Sequence, residues 1–219
     1  MKQTPILFKP EMIRAILDGL KTQTRRLIKP QVDTTHWKAS AFSKPKEWRK
    51  QPLLGPCHHG WDEDMWVLNN VSDPPGAVPY TGRKCPYGRK GDLLWVKEGY
   101  VLNYSDDIKI AYKTDWYGGI TEFSGPPKWK SALFMFKKYA RIWLELTADP
   151  VPQRLREITE EDCIAEGSQI PCDQLPKSCR QGCMTERTQF SRIIDAYNGP
   201  GTWDKNPWVW KLEFRMVER

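Results

Sequence analysis

The stretch Trp208-Val209-Trp210-Lys211-Leu212-Glu213-Phe214-Arg215-Met216-Val217 carries the strictest alternation in the chain. Trp208, Trp210, Leu212, Phe214 and Met216 fall on one face. Val209, Lys211, Glu213 and Arg215 fall on the other, which is the period of two of a half-buried strand. Upstream, residues 141–147 alternate likewise, with Ile142, Leu144 and Leu146 inward. The run 93–98 follows a turn at Gly91 and also reads as a strand. There Leu94, Val96 and Glu98 share one face, but Leu93 and Trp95 make the other face apolar too, so the inward side stays open. Further strands are expected at 5–8, 24–29, 65–70 and 108–113, and 151–155 is expected to pair beside 141–147.

Between the strands lie three helical patterns. Pro10 suits a first helical turn, Met12, Ile13, Ile16 and Leu17 share a face, and Gly19 fits a left-handed C-terminal cap. Thr159 reads as an N-cap, with Glu160, Glu161 and Asp162 in the first turn, where the helix dipole favours acids. Gly167 closes that helix. Residues 185–197 place Phe190, Ile193, Ile194 and Tyr197 on one stripe, and 198–201 form a firm break. Strands with three helices among them give an α+β fold, or a small closed barrel decorated by helices.

The length, 219 residues, suits a single domain over 1–219 with insertions near 31–90 and 168–184, where no clean period is visible. Apolar residues are only 39% of the chain, but 11 Trp, 8 Tyr and 7 Phe supply large buried areas. The net charge of +7 is compatible with an anionic partner, nucleic acid first. No stretch reaches the ~20 apolar residues that span a bilayer, and the first residues lack a signal-peptide core, so no membrane association and a cytoplasmic location are expected. The six cysteines are then expected as thiols, not a disulfide framework. Cys57, His58 and His59 with Cys85, or Cys172, Cys179 and Cys183, are candidate metal donors, but each set falls short of four ligands with workable spacing. Neither a resident metal nor a cofactor is expected.

One segment does not fit a core: Gly19-Leu20-Lys21-Thr22-Gln23-Thr24-Arg25-Arg26 concentrates an amine, two hydroxyls and two guanidinium groups. That composition suits a polar, anionic or nucleobase-like ligand. Gly19, Lys21 and Arg26 match the G-x-K-x-x-x-x-R motif of the ASCH domain family, a branch of the PUA-like fold. The chain resembles the longer family members of phages and prophages. It does so in order and spacing at residues 6–10, 85–88, 91–98, 158–167 and 206–210. The run from Met135 to Arg141 departs from the pattern by lacking its proline and serine.

The resemblance implies a PUA-like β-barrel whose cleft is rimmed by the motif, in a bacterial host cell. It also implies RNA or a modified nucleoside as ligand, with DNA possible and a protein partner unknown. Some relatives of this type are amidohydrolases that deacylate N4-acetylcytidine, and others are ribonucleases. In the former a Lys, a Thr and a downstream Glu form the triad, which maps here onto Lys21, Thr24 and Glu98. Gly19, Arg25, Arg26, Trp95 and Tyr100 are then the ligand-binding candidates.

Each residue also has a plainer reading. Lys21, Arg25 and Arg26 read equally as phosphate contacts without catalysis. Glu98 reads as a strand-end acid paired with an arginine such as Arg26. Trp208, Trp210 and Phe214 read as core, whereas Trp95, Tyr100, Tyr112 and Trp116 are better placed for stacking on a base. Lys21 and Thr24 are three apart, so on a strand they would face opposite ways; a shared site requires residues 20–24 to turn. A third function class is a phage protein–protein module using the two insertions.

Overall fold

The computed structural model describes residues 1–31, 39–43, 65–70, 81–103, 109–116, 127–168 and 185–218; for 39–43, 65–70 and 81–83 it describes the backbone alone. In chain order it contains β1 (Gln3–Leu7), α1 (Pro10–Leu17), β2 (Gln23–Leu27), β3 (Ala39–Ser43), β4 (Met65–Asn70), β5 (Thr81–Lys84), β6 (Leu93–Lys97), β7 (Tyr100–Leu102) and β8 (Ile110–Tyr112). There follow β9 (Trp143–Leu146), β10 (Val151–Arg154), α2 (Glu160–Ala165), α3 (Glu186–Asn198), α4 (Thr202–Lys205) and β11 (Trp208–Val217).

The ten residues of β11 give it room for three partners. Its odd-numbered residues turn their backbone polar groups to one side and its even-numbered residues to the other. Thus Glu213 O accepts from Thr147 N, while Phe214 N donates to Thr22 O. On the first side run β9 (Phe214 opposite Leu146) and then β10 (Val209 opposite Gln153). On the second side runs β2, with Thr24 opposite Leu212 and Arg26 opposite Trp210. β9 continues to β6 antiparallel, and β6 to β1 parallel. This six-stranded sheet curls into a half-barrel whose free edges, among the described residues, are β1, β2 and β10. The expected pairing of 151–155 beside 141–147 is corrected: β10 prolongs the line of β9 along β11.

The alternation of β11 turns Trp208, Trp210, Leu212 and Phe214 into the barrel. There they meet Ile6 and Phe8, Leu94 and Val96 of β6, and Ile142, Leu144 and Leu146. Met216, at the end of the same face, is half-exposed. Leu94 and Val96 settle the inward side of β6. Its other face is buried as well, Leu93 and Trp95 packing on Trp143, which is why the sequence left both sides open. The outer face of β2 and β11 is covered by the three later helices, where Leu155, Ile158, Cys163, Phe190, Ile194 and Val209 form a second cluster. Each fully buried aliphatic side chain of this kind contributes about 1.5–3 kcal/mol.

α2 begins as its cap predicts, Thr159 accepting from Asp162 N, and Thr185 caps α3 in the same way by accepting from Thr188 N. Among the described residues there are four α-helices instead of three, because Thr202–Lys205 adds a short one just after the break. β3, β4 and β5 form a separate three-stranded sheet within the first expected insertion. Cys57, His58, His59, Cys172, Cys179 and Cys183 lie outside the described residues. Cys85 is a buried thiol of the main core. Among the described residues no helix is long and apolar enough to cross a membrane.

Candidate functional site

β1 and β6 are parallel and β2 runs against both. The start of β2 and the ends of β1 and β6 therefore lie at one end of the barrel. That end collects Lys21, Phe8 and Glu98. Phe8 and Glu98 follow the last paired residues of β1 and β6, Leu7 and Lys97. Thr24 points inward from β2, opposite Leu212. Lys21, Thr24 and Glu98 are 2%, 3% and 1% exposed.

The expected turn over residues 20–24 does not form: β2 begins at Gln23, and the turn precedes Lys21. Asp18 and Gly19 make it, Gly19 at φ +72°, a conformation glycine adopts without steric penalty. Leu20 N and Lys21 N both donate to Ala15 O. Lys21 then leaves the chain beside α2. A Cβ on Gly167, which sits at φ +78°, would lie 3.2 Å from that of Lys21, so glycine eases the approach of the two segments. The Lys21 ammonium ends 5.8 Å from the centre of the Phe8 ring.

That ammonium donates to Glu166 Oε2 at 2.6 Å and to the Glu166 carbonyl at 2.8 Å. The other carboxylate oxygen accepts from Arg25 Nη1 at 3.1 Å, and Arg25 Nη2 donates to Asp162 at 2.6 Å. With its amide oxygen turned inward, Gln153 accepts from Arg25 Nε at 2.9 Å. Lys211 completes the chain on Asp162 at 3.1 Å. Burial pushes the Lys21 pKa down. Glu166 opposes this, Arg26 and Arg25 assist it, and the net shift is downward. Arg25, expected at the ligand, spends its donors on the protein and fastens α2 to β2.

Glu98 pairs with Arg141, not with Arg26. The guanidinium is bidentate, with Nε on Oε1 at 2.9 Å and Nη2 on Oε2 at 3.0 Å. It also holds Asp115 and lies 4.1 Å from the centre of the Tyr112 ring. Fork-to-fork pairing of this kind is among the stronger protein ion pairs. Each Glu98 oxygen keeps acceptor capacity for a further donor. Lys21, Thr24 and Glu98 thus share one barrel end without touching one another. Among the described residues the Thr24 hydroxyl takes part in no hydrogen bond.

Trp95 and Tyr100, expected to stack on a base, are placed otherwise. Trp95 is packed against Trp143 and covered by the Lys97 ammonium. Tyr100 is buried beside Tyr139. Both fill space that the outer face of β6 and its following loop would leave empty, so neither ring offers a free face.

Arg26 is the exception among these cations. Its Nη2 crosses the open seam of the half-barrel to Leu7 O at 2.6 Å, and its guanidinium lies 4.7 Å from the centre of Phe8. Its Nε is buried without a partner, and among the described residues no carboxylate pairs with it. Burial pushes its pKa down, partly offset by Tyr87 and Glu166, but an arginine stays charged. Beside it opens a cavity of ≈ 390 Å³, lined also by Lys29, Lys84, Tyr87, Asn198 and Trp210. That volume falls within the roughly 300–1,000 Å³ of small-ligand pockets. Among the described residues the lining holds three cations and no carboxylate.

No family model, no curated protein and no solved structure matches this chain. The site is therefore judged on its own geometry. Sequence reasoning missed Glu166, Asp162 and Arg141, which hold the expected site residues in place. The only local sign of Glu166 was its position before Gly167. Among the described residues no three His, Cys, Asp or Glu side chains gather as metal donors.

Proposed function

We propose that the protein binds nucleic acid or a nucleotide-like ligand at the barrel seam, as an ASCH-type, PUA-like domain of phage or prophage kind. The observation that carries this reading is Arg26: a half-buried guanidinium whose Nε is buried and unpartnered, beside a cavity whose other charges, among the described residues, are lysines. A buried donor without an acceptor is unfavourable by about 1–3 kcal/mol, and a phosphate or base carbonyl in the cavity would relieve that. Tyr87 supplies ring surface, and Asn198 an amide able to pair with a base edge. The test is a titration with cytidine or uridine monophosphate and a short RNA. Arg26→Ala should weaken both by about tenfold or more and flatten the salt dependence by roughly one phosphate contact. Unchanged affinity in a variant of unchanged melting temperature sinks the reading.

A second reading is an amidohydrolase acting on an N4-acylated cytidine. It is favoured by the placement of Lys21, Thr24 and Glu98 at one barrel end, with the Thr24 hydroxyl in no hydrogen bond among the described residues. Thr24 Oγ1 would attack the acyl carbonyl and pass its proton to Lys21 in its deprotonated form, which burial favours and the Glu166 carboxylate opposes. Collapse of the tetrahedral intermediate would expel the exocyclic amine, protonated by Lys21, and water would then hydrolyse the threonyl ester. Glu98 would orient the base by accepting from it. Release of acetate from N4-acetylcytidine, abolished by Thr24→Ala, is the expected result. No release by the wild-type protein at high concentration rejects this substrate.

A further inference from the structure

We propose that residues 127–141 form a docking platform for single-stranded nucleic acid, leading it to the barrel end that holds Lys21 and Glu98. The proposal rests on the nucleic-acid reading above and extends it from a cavity to a strand. Two short 3-10 turns, Ala132–Phe134 and Lys137–Tyr139, cross the end of β6.

Their backbone is fastened from below. Glu98 N donates to Met135 Sδ at 3.3 Å, Lys97 Nζ to Leu133 O at 2.7 Å, and Tyr112 Oη to Tyr139 O at 2.8 Å. Of the apolar residues 133–136 only Met135 turns inward. Leu133, Phe134 and Phe136 are 61%, 71% and 67% exposed. Large apolar side chains displayed together on a fastened backbone mark a contact surface.

Charge selects the partner. Residues 127–141 hold Lys128, Lys130, Lys137, Lys138 and Arg141 and no acid. The four lysines are exposed and flank the two phenylalanines on both sides. Exposed rings between cations are what a sequence-tolerant single-strand site needs: bases stack on the rings while phosphates track the lysines. The platform ends at Arg141, which grips Glu98, so a strand laid along it reaches the candidate site. An anionic membrane would also meet the charge. However, insertion asks for a continuous apolar wedge, and here Met135 splits the phenylalanines by pointing the other way.

The experiment measures binding of an oligouridylate of about 12 nucleotides, of uridine monophosphate, and of phosphatidylserine vesicles. The proteins are wild type, Arg26→Ala and the double variant Phe134→Ala/Phe136→Ala, whose exposed positions leave the core untouched. The double variant should bind the oligonucleotide about tenfold or more weakly and uridine monophosphate as wild type does. Lys137→Ala/Lys138→Ala should reduce the slope of log affinity against log salt by roughly 0.7 per phosphate lost.

An oligonucleotide affinity untouched by the double variant overturns the platform, as does vesicle binding that needs the phenylalanines while the oligonucleotide does not. If wild type binds the oligonucleotide in a phenylalanine-dependent way but no mononucleotide, the platform stands and the cavity reading falls. If wild type binds neither nucleic acid probe, both fall.

Discussion

Glu166 decides how Lys21 and Arg25 exist inside the protein. Both cationic side chains are wholly buried, and one carboxylate, itself nearly buried, serves both. Removing one member of a buried pair strands the other, at about 3–5 kcal/mol. Glu166→Gln is therefore expected to destabilise the fold by that amount in urea denaturation, despite its near-identical shape. Adding Lys21→Met to it should restore part of the loss, because one of the two stranded charges is gone. A Glu166→Gln variant as stable as wild type would show that the pair is not what holds α2 to the start of β2. The same network bears on the amidohydrolase reading: a Lys21 hydrogen-bonded to a carboxylate is an ammonium. Base catalysis needs the deprotonated amine, towards which burial biases it.

At the level of elements, legibility followed from how different the two faces of each segment are. β11 was readable residue by residue because its inner face is aromatic and its outer face charged for most of its length. β6 was readable as a strand but not in orientation, since both its faces are covered. β10 was placed beside the wrong strand because neighbours in sequence usually pair. The short break at 147–150 shifts the ladder and lets the chain continue along β11 instead. The candidate site divides in the same way. Gly19, Lys21 and Arg26 stood out by composition alone. Their partners did not: Lys21 and Glu166 are 145 residues apart, and Glu98 and Arg141 are 43 apart. Nothing local ties such carboxylates and cations together. Aromatic composition likewise marked Trp95 and Tyr100 without distinguishing an open ring from a packed one, whereas Phe134 and Phe136 are the most exposed rings among the described residues.

For the molecule as a whole, acid is the condition that tests how its layers are joined. Asp92 accepts from Lys2 N at 2.6 Å and Arg89 N at 3.0 Å, tying the N-terminal strand to the start of β6. Burial alone would raise its pKa, but these backbone donors outweigh burial and lower it. Asp162 behaves alike: burial raises, Arg25 and Lys211 lower, and the net shift is downward. A carboxylate with a lowered folded-state pKa resists protonation that the unfolded chain accepts. Its contribution is therefore complete above about pH 4 and is lost as pH falls through the folded value.

Stability should then be flat from neutral pH to about pH 4 and fall below it. Neutralising the carboxylates also leaves 34 Lys and Arg uncompensated. That general repulsion is screened by added salt over about 10 Å at 0.1 M, whereas the two local contributions respond far less. Urea denaturation at stepped pH in moderate salt separates them. Asp92→Asn and Asp162→Asn should each be less stable than wild type at pH 7, and each should lose less between pH 4 and pH 2. Parallel curves for all three proteins would place the acid sensitivity in overall charge and not in the joints of the barrel.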